Sequence, residues 1–206
     1  MSPDFFPKGI PLTKRLFDLF CTIPGLVVLS PFLLLVAILI LLSDGWPAFF
    51  LQDRPGYRGK TFRMSKFRTM KVGSDTVSPA EDAGRIYRLG HFMRVTSVDE
   101  LPELFNVLRG EMSLVGPRPL LVQYLDRYSP EQARRHDVLP GMAGWAQVNG
   151  RNLITWEKKF EYDVWYVDHW SFWLDIRILW LTLIKVIKRE GITQVGSATV
   201  DEFKGR

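Results

Sequence analysis

The chain has 206 residues, a formal net charge of +5, 47% hydrophobic residues and one cysteine. That is one domain, or one domain with a membrane element, with ample apolar material for a core. One cysteine excludes an intrachain disulfide, and the scattered His91, His136 and His169 make no zinc-type cluster and are read as structural. The basic balance favours anionic partners: nucleic acid, phosphorylated substrates or an anionic membrane surface.

Lys14, Arg15 and Asp18 precede a charge-free run over residues 19–43, longer than the roughly 20 residues that cross a bilayer. The run is long for a signal peptide and lacks a small-residue cleavage site. Ser30-Pro31 falls in its middle. Proline removes a helical hydrogen bond, so a break is expected there, with the serine hydroxyl serving a freed carbonyl. The arm after Pro31 makes only about 20 Å of helix against a hydrocarbon core of about 30 Å. On the residues alone a kinked spanning helix and a re-entrant one both stand. Flanking charge does not choose, since basic residues lie both before the run and, from Arg54 to Lys66, after it.

Residues 48–52 predict a short strand and 53–59 a turn. Residues 61–68 alternate as a half-buried strand with Phe62 and Met64 inward and the cations Lys66 and Arg68 near its end. Residues 72–84 read as a loop and 85–95 as a helix with Leu89, Phe92 and Met93 inward. From Ser97 the pattern predicts another helix. Ser97 is the N-cap, Glu100 completes a capping box, Leu101, Leu104, Phe105 and Leu108 form the apolar face, Pro102 sits in the first turn and Gly110 stops it.

Asp99 and Glu100 lie in that first turn. They either complement the helix dipole or divide a reaction between them. A carboxylate can attack phosphorus and hold a covalent phosphoryl group, and its neighbour can hold Mg²⁺ against a diphosphate. Adjacent helical residues diverge by about 100°, which suits two roles better than one shared ion. The Gly116-Pro117-Arg118-Pro119 turn is stiff and presents Arg118 for bidentate phosphate recognition. Residues 120–137 read as two helical pieces broken at Ser129-Pro130, with Pro130 at a helix start. The loop 140–151 carries Gln147, Asn149 and Arg151; amides read nucleobase edges and arginines hold phosphates. A helix is read over 152–168, and four of the seven tryptophans (Trp165 near its end, then Trp170, Trp173 and Trp180) precede Lys185, Lys188 and Arg189. That pattern predicts an interfacial helix, interrupted only by Asp175 and Arg177, lying on the bilayer. Residues 196–206 read as a polar, peripheral tail.

The ordered run 97–110, followed by 112–119, closely resembles the bacterial sugar transferases, the monotopic polyprenyl-phosphate phosphoglycosyl transferases. The resemblance continues in Lys66-Phe67-Arg68-Thr69-Met70 and in residues 140–151, and extends from the apolar run to about Arg189. It implies that the Ser30-Pro31 break makes the helix re-entrant. It implies Asp99 as nucleophile and Glu100 as Mg²⁺ ligand. Lys66, Arg94 and Arg118 would hold phosphates, and Gln147 and Arg151 would join the substrate site. Family members often carry a basic residue where this chain has Leu139, so a contact from that position is in doubt.

The expected architecture is mixed α/β and mostly helical. A re-entrant helix falls in segment 1–45, a catalytic domain with one β-hairpin and amphipathic helices in 46–195, and the tail in 196–206. The implied reaction transfers a sugar 1-phosphate from a UDP-sugar to undecaprenyl phosphate and releases UMP, on the cytoplasmic face of a bacterial inner membrane. Similarity around Arg151-Asn152 and residues 156–163 is closest to members using UDP-N,N'-diacetylbacillosamine, with UDP-GlcNAc and UDP-GalNAc as alternatives. Membrane lipids are expected partners, a homo-oligomer is compatible with the sequence, and nucleic acid is not expected. A non-catalytic membrane adaptor is the competing class; it accounts for the charge and aromatics but not for Asp99, Glu100 and Arg118.

Overall fold

The computed structural model describes residues 5–71, 85–150, 154–188 and 202–205. Helix α1 (Leu12–Asp44) is the one helix among the described residues long and apolar enough to cross a membrane. It continues through Ser30 and Pro31, so the expected break does not interrupt the helix. Pro31 has no N–H for the Val27 carbonyl, and the Ser30 hydroxyl donates to that oxygen instead at 2.8 Å.

One stripe of α1 packs against the rest of the chain: Lys14, Arg15, Asp18 and Thr22, then Leu26, Leu33, Val36 and Ile40. The spacing of three and four is that of one helix face. Its beginning is polar and buried. Lys14 Nζ donates to Asp175 Oδ2 at 2.6 Å and to the Val115 carbonyl at 2.9 Å. Arg15 donates to the carbonyls of Val107 and Leu108 at 2.6 and 2.8 Å. Asp18 Oδ1 accepts from Ser113 Oγ and from the Leu114 N–H, both at 3.0 Å. At the far end Arg68 Nη2 donates to the Asp44 carbonyl at 2.8 Å. The outward face leaves Phe20, Val27, Val28, Leu34 and Leu42 exposed.

Strands β1 (Phe49–Pro55) and β2 (Thr61–Phe67) form the expected antiparallel hairpin, with Phe50 opposite Lys66 and Arg54 opposite Phe62. Phe62 and Met64 are buried, as the alternation predicts. Helix α2 (Arg88–Thr96) buries Met93, but Phe92, expected inward, is exposed. Helix α3 (Glu103–Arg109) follows a single 3₁₀ turn over Val98–Glu100.

A second, parallel sheet pairs β3 (Ser113–Val115) with β4 (Gly141–Ala143). Strands of three residues are too short for alternation to show in sequence. Their approach requires glycine: a Cβ on Gly141 would lie 2.0 Å from the Gly116 nitrogen.

The region 120–137 divides as expected, into a 3₁₀ turn (Val122–Arg127) and α4 (Pro130–Ala133), which opens with Pro130 and a Ser129–Gln132 capping box. Helices α5 (Trp145–Asn149), α6 (Trp156–Asp168) and α7 (Phe172–Lys188) complete the order. Helix α7 buries Leu174, Asp175 and Ile178 and exposes Trp173, Trp180 and Ile187. Together with the outer face of α1 it gives the exposed apolar surface of a membrane-associated protein. The tail prediction is corrected in its described part: Phe203 is buried among Tyr124, Trp156 and Phe160, and Arg127 pairs with Glu202 at 2.8 Å.

Asn106 joins α3 to the hairpin. It is fully buried. Its Oδ1 accepts from the Ser65 N–H at 3.0 Å, and its Nδ2 donates to the Arg63 carbonyl at 2.8 Å and to Glu111 at 2.7 Å. The side chain thus serves as an extra rung on β2, one residue from Lys66. Asn106→Ala strands these groups and should cost about 2–4 kcal/mol, read by denaturant unfolding in detergent.

Candidate active site

The predicted capping box does not form. Ser97 stands in the left-handed region at φ 57° and ends α2, its N–H bonding back to the Arg94 carbonyl at 3.3 Å. Pro102 explains why one helix does not run from Ser97 to Arg109: it has no N–H for the Val98 carbonyl, which accepts from Leu101 at 3.2 Å instead. The chain therefore turns sharply at a non-glycine residue with positive φ, an uncommon conformation for such a residue and one that closes helix C-termini. The turn lays Asp99 and Glu100 over β2 rather than along a helix start.

Glu100 is not a capping residue; it is clamped between two cations. Lys66 Nζ lies 2.8 Å from Glu100 Oε1, and Arg118 bonds the same oxygen through Nη2 while its Nη1 reaches Oε2 at 3.4 Å. Burial works against the Glu100 charge, but Arg118 and Lys66 outweigh it and hold the carboxyl well below the usual range. Asp99 is its opposite. Burial, then the charge of Glu100, pushes it up to about 6 against the pull of Lys66, Arg118 and Arg94. No hydrogen bond or ion pair to the Asp99 carboxylate is present among the described residues. One environment thus divides two adjacent carboxylates into a fixed anion and an unclamped group with a raised pKa, a division that recurs at catalytic sites.

A third carboxylate was not singled out by the sequence. Glu103, only 1% exposed at the start of α3, places Oε1 3.2 Å from Lys66 Nζ. Burial, despite Lys66, pushes it up to about 7, with Glu100 adding to the rise. The available signal was its helical spacing from Asp99 and Glu100, which puts it on their side of the turn.

Arg118 stands on a support that the sequence did not reveal. Arg135 is buried and donates to the Arg118 carbonyl at 2.7 Å. Asp163 holds Arg135 in turn, accepting from Nε at 3.1 Å and from Nη2 at 2.8 Å. Arg54 in β1 reaches the Pro119 carbonyl at 3.5 Å. Burial and the nearby charge of Arg118 press its pKa down to about 10.

Of the other predicted residues, Arg94 bonds Thr69 Oγ1 at 3.0 Å and acts on Asp99 through its charge. Gln147 on α5 donates to the Met142 carbonyl at 3.0 Å and lines the same cavity as Glu100. Arg151 lies outside the described residues. Ser30 and Pro31 lie in α1, away from the charged cluster. No group of three acidic, histidine or cysteine side chains converges as a preformed metal cage among the described residues.

The fold gathers Asp99, Glu100, Glu103, Lys66 and Arg118 into one charged cluster on a chain with a long apolar helix. The bacterial sugar transferase family profile matches residues 10–189. The chain is 52% identical over 195 residues to the uncharacterized sugar transferase EpsL of Bacillus subtilis, covering 94% of this chain and 96% of that protein. It is 42% identical over 188 residues to the UDP-glucose:undecaprenyl-phosphate glucose-1-phosphate transferase of Xanthomonas campestris, and 39% over 196 residues to the undecaprenyl-phosphate galactose phosphotransferase of Salmonella typhimurium. Those matches cover 85% and 86% of this chain but only 39% and 41% of the two relatives, so the chain spans about two fifths of their length. The chain belongs to the bacterial sugar transferase family of enzymes. The adaptor reading falls with that assignment.

Proposed function

We propose that the enzyme transfers a sugar 1-phosphate from a UDP-sugar to undecaprenyl phosphate, releasing UMP, as a first membrane step of glycoconjugate assembly. The carrying observation is the unclamped Asp99 beside a Glu100 held by Lys66 and Arg118. In the first step an Asp99 oxygen attacks the sugar-proximal phosphorus. The new Asp99 O–P bond forms as the bridging P–O bond breaks, and UMP leaves with the electron pair. In the second step an oxygen of undecaprenyl phosphate attacks the same phosphorus, and the Asp99 O–P bond breaks to restore the carboxylate. Phosphoryl transfer depends mainly on positioning and charge neutralisation, which Lys66, Arg118 and Arg94 supply.

Glu100, the ionised carboxylate of the pair, would hold Mg²⁺ in the ion's usual mode of one or two carboxylates plus substrate phosphates, as Lys66 and Arg118 pass from it to the diphosphate. When bound, the ion would neutralise diphosphate charge.

We infer that α1 is re-entrant, from the contacts of its two ends, and that the site faces the cytoplasm as the family resemblance implies. Lys14 and Asp44, near the two ends of α1, both bind the same folded body, so the ends do not suit opposite sides of a bilayer. The Ser30 hydroxyl also satisfies the carbonyl that Pro31 releases.

UDP-N,N'-diacetylbacillosamine or another UDP-N-acetylamino sugar, such as UDP-GlcNAc or UDP-GalNAc, is the first reading of the donor. The glucose and galactose named in the relatives favour a UDP-hexose as the second. Detergent-purified protein with undecaprenyl phosphate, Mg²⁺ and a panel of these sugars should release UMP with one of them. Folded protein that releases none from any would remove the proposal.

The pH dependence follows from Asp99. The attacking group must be ionised, so kcat/KM should fall as pH drops through about 6. Arg118 lowers the Asp99 pKa, so the acid limb should move to higher pH in Arg118→Met. An unmoved limb in that variant would separate the limb from Asp99.

A further inference from the structure

A lysine carries its charge on a flexible four-carbon stem, so a lysine that holds a phosphate needs something to aim it. Lys66 leaves β2 beside the acidic pair, and α3 grips it at both ends. At the backbone, Asn106 Oδ1 accepts from the Ser65 N–H at 3.0 Å and Nδ2 donates to the Arg63 carbonyl at 2.8 Å, which fixes the strand just before Lys66. At the tip, Glu103 Oε1 lies 3.2 Å from Lys66 Nζ. Glu103 and Asn106 are three residues apart on one helix, so both face the same strand.

The ammonium sits between two carboxylates that differ in depth. Glu100 Oε1 is 2.8 Å away on a side chain 25% exposed. The Glu103 side chain is 2% exposed, and Lys66 is its one ion-pair partner among the described residues. The two contacts are therefore not equally easy to give up. Glu100 can lose Lys66 with Arg118, or an incoming cation, still available to it. Glu103 without Lys66 would be a buried carboxylate with no counter-charge in contact, which is the costly outcome.

We propose that Glu103 is a positioning residue that tethers the Lys66 ammonium, so that the lysine swings from Glu100 to the donor diphosphate while keeping its inner contact. This rests on the reading of the donor as a UDP-sugar. The role differs from those of Asp99 and Glu100: Glu103 touches neither the phosphorus nor Mg²⁺, and acts through Lys66 alone.

The test is a double-mutant cycle on the full chain in detergent: wild type, Glu103→Met, Lys66→Met and the double variant. Two quantities are read. One is affinity for UDP, which carries the diphosphate but no sugar to transfer; the other is UMP release with the active UDP-sugar. Glu103→Met should weaken UDP binding and lower kcat/KM by about 10- to 100-fold, the range for losing a hydrogen bond to a charged group. Glu103→Gln, whose amide oxygen still meets the ammonium, should stay within about threefold of wild type. Glu103→Asp keeps the charge but falls one methylene short; it should lose as much as Glu103→Met, and it carries the cycle should the methionine variant not fold. In the Lys66→Met background, Glu103→Met should cost nothing in either readout, because no ammonium is left to aim. Equal fractional losses with and without Lys66 overturn the tether and leave Glu103 a structural residue. A loss in Glu103→Met that excess Mg²⁺ restores also overturns it and gives Glu103 to the metal. Both outcomes leave the donor reading standing. Wild type that neither binds UDP nor releases UMP removes the donor reading, and the tether with it.

Discussion

Asp99→Asn is expected to lose UMP release by on the order of 10⁴-fold or more, the scale of removing a nucleophile from a covalent catalyst. The amide matches the carboxylate in shape, so folding and the Glu100 clamp should persist. The variant separates nucleophilic attack from charge. Were Asp99 only an electrostatic neighbour, its loss would relieve repulsion on Glu100 and leave turnover nearly intact. UMP release, scored beside circular dichroism and melting temperature, distinguishes the two. Glu100 cannot take over: it faces Lys66 and Arg118, which lower its basicity and occupy its oxygens.

Lys14→Met is expected to destabilise the fold by about 3–5 kcal/mol, the range for breaking a buried pair. Lys14 and Asp175 have side chains only 4% and 3% exposed and lie 2.6 Å apart. Removing the lysine leaves Asp175 with neutral donors alone, the Tyr166 hydroxyl at 2.7 Å and the Trp170 indole N–H at 3.1 Å. The double variant Lys14→Met/Asp175→Leu should recover part of the loss, because no buried charge is then unpaired. Denaturant unfolding of the four proteins in one detergent reads the coupling. Additive losses would mean that the two side chains contribute independently.

The elements carried by local pattern were legible in the sequence. The apolar run, the hairpin with Phe62 and Met64 inward, the Pro130 helix start and the stop at Gly110 follow from periodicity and from proline and glycine chemistry. The resemblance located the acidic pair, Lys66 and Arg118, and the structure brings these four together. Contacts between distant segments were not legible. Lys14 looked like a charge flanking the apolar run because its partner Asp175 lies on α7. Arg135 drew no notice as a support because its partner Asp163 lies far along the chain on α6. Ser97 and Glu100 satisfied a capping rule that the tertiary cations overrode: Lys66 and Arg118 draw Glu100 away, and Pro102 prevents the helix from starting early. Phe203 was hidden in a polar tail because nothing local announces the aromatic cluster that takes it in.

The most direct test of the account is the mass of the intact protein after incubation with the active UDP-sugar and Mg²⁺ but no undecaprenyl phosphate, followed by acid quench and peptide mapping. The account predicts one phosphosugar per chain on the peptide containing Asp99, formed together with UMP and discharged when the lipid phosphate is added. Full turnover with lipid present but no adduct without it, or an adduct on another residue, would contradict it.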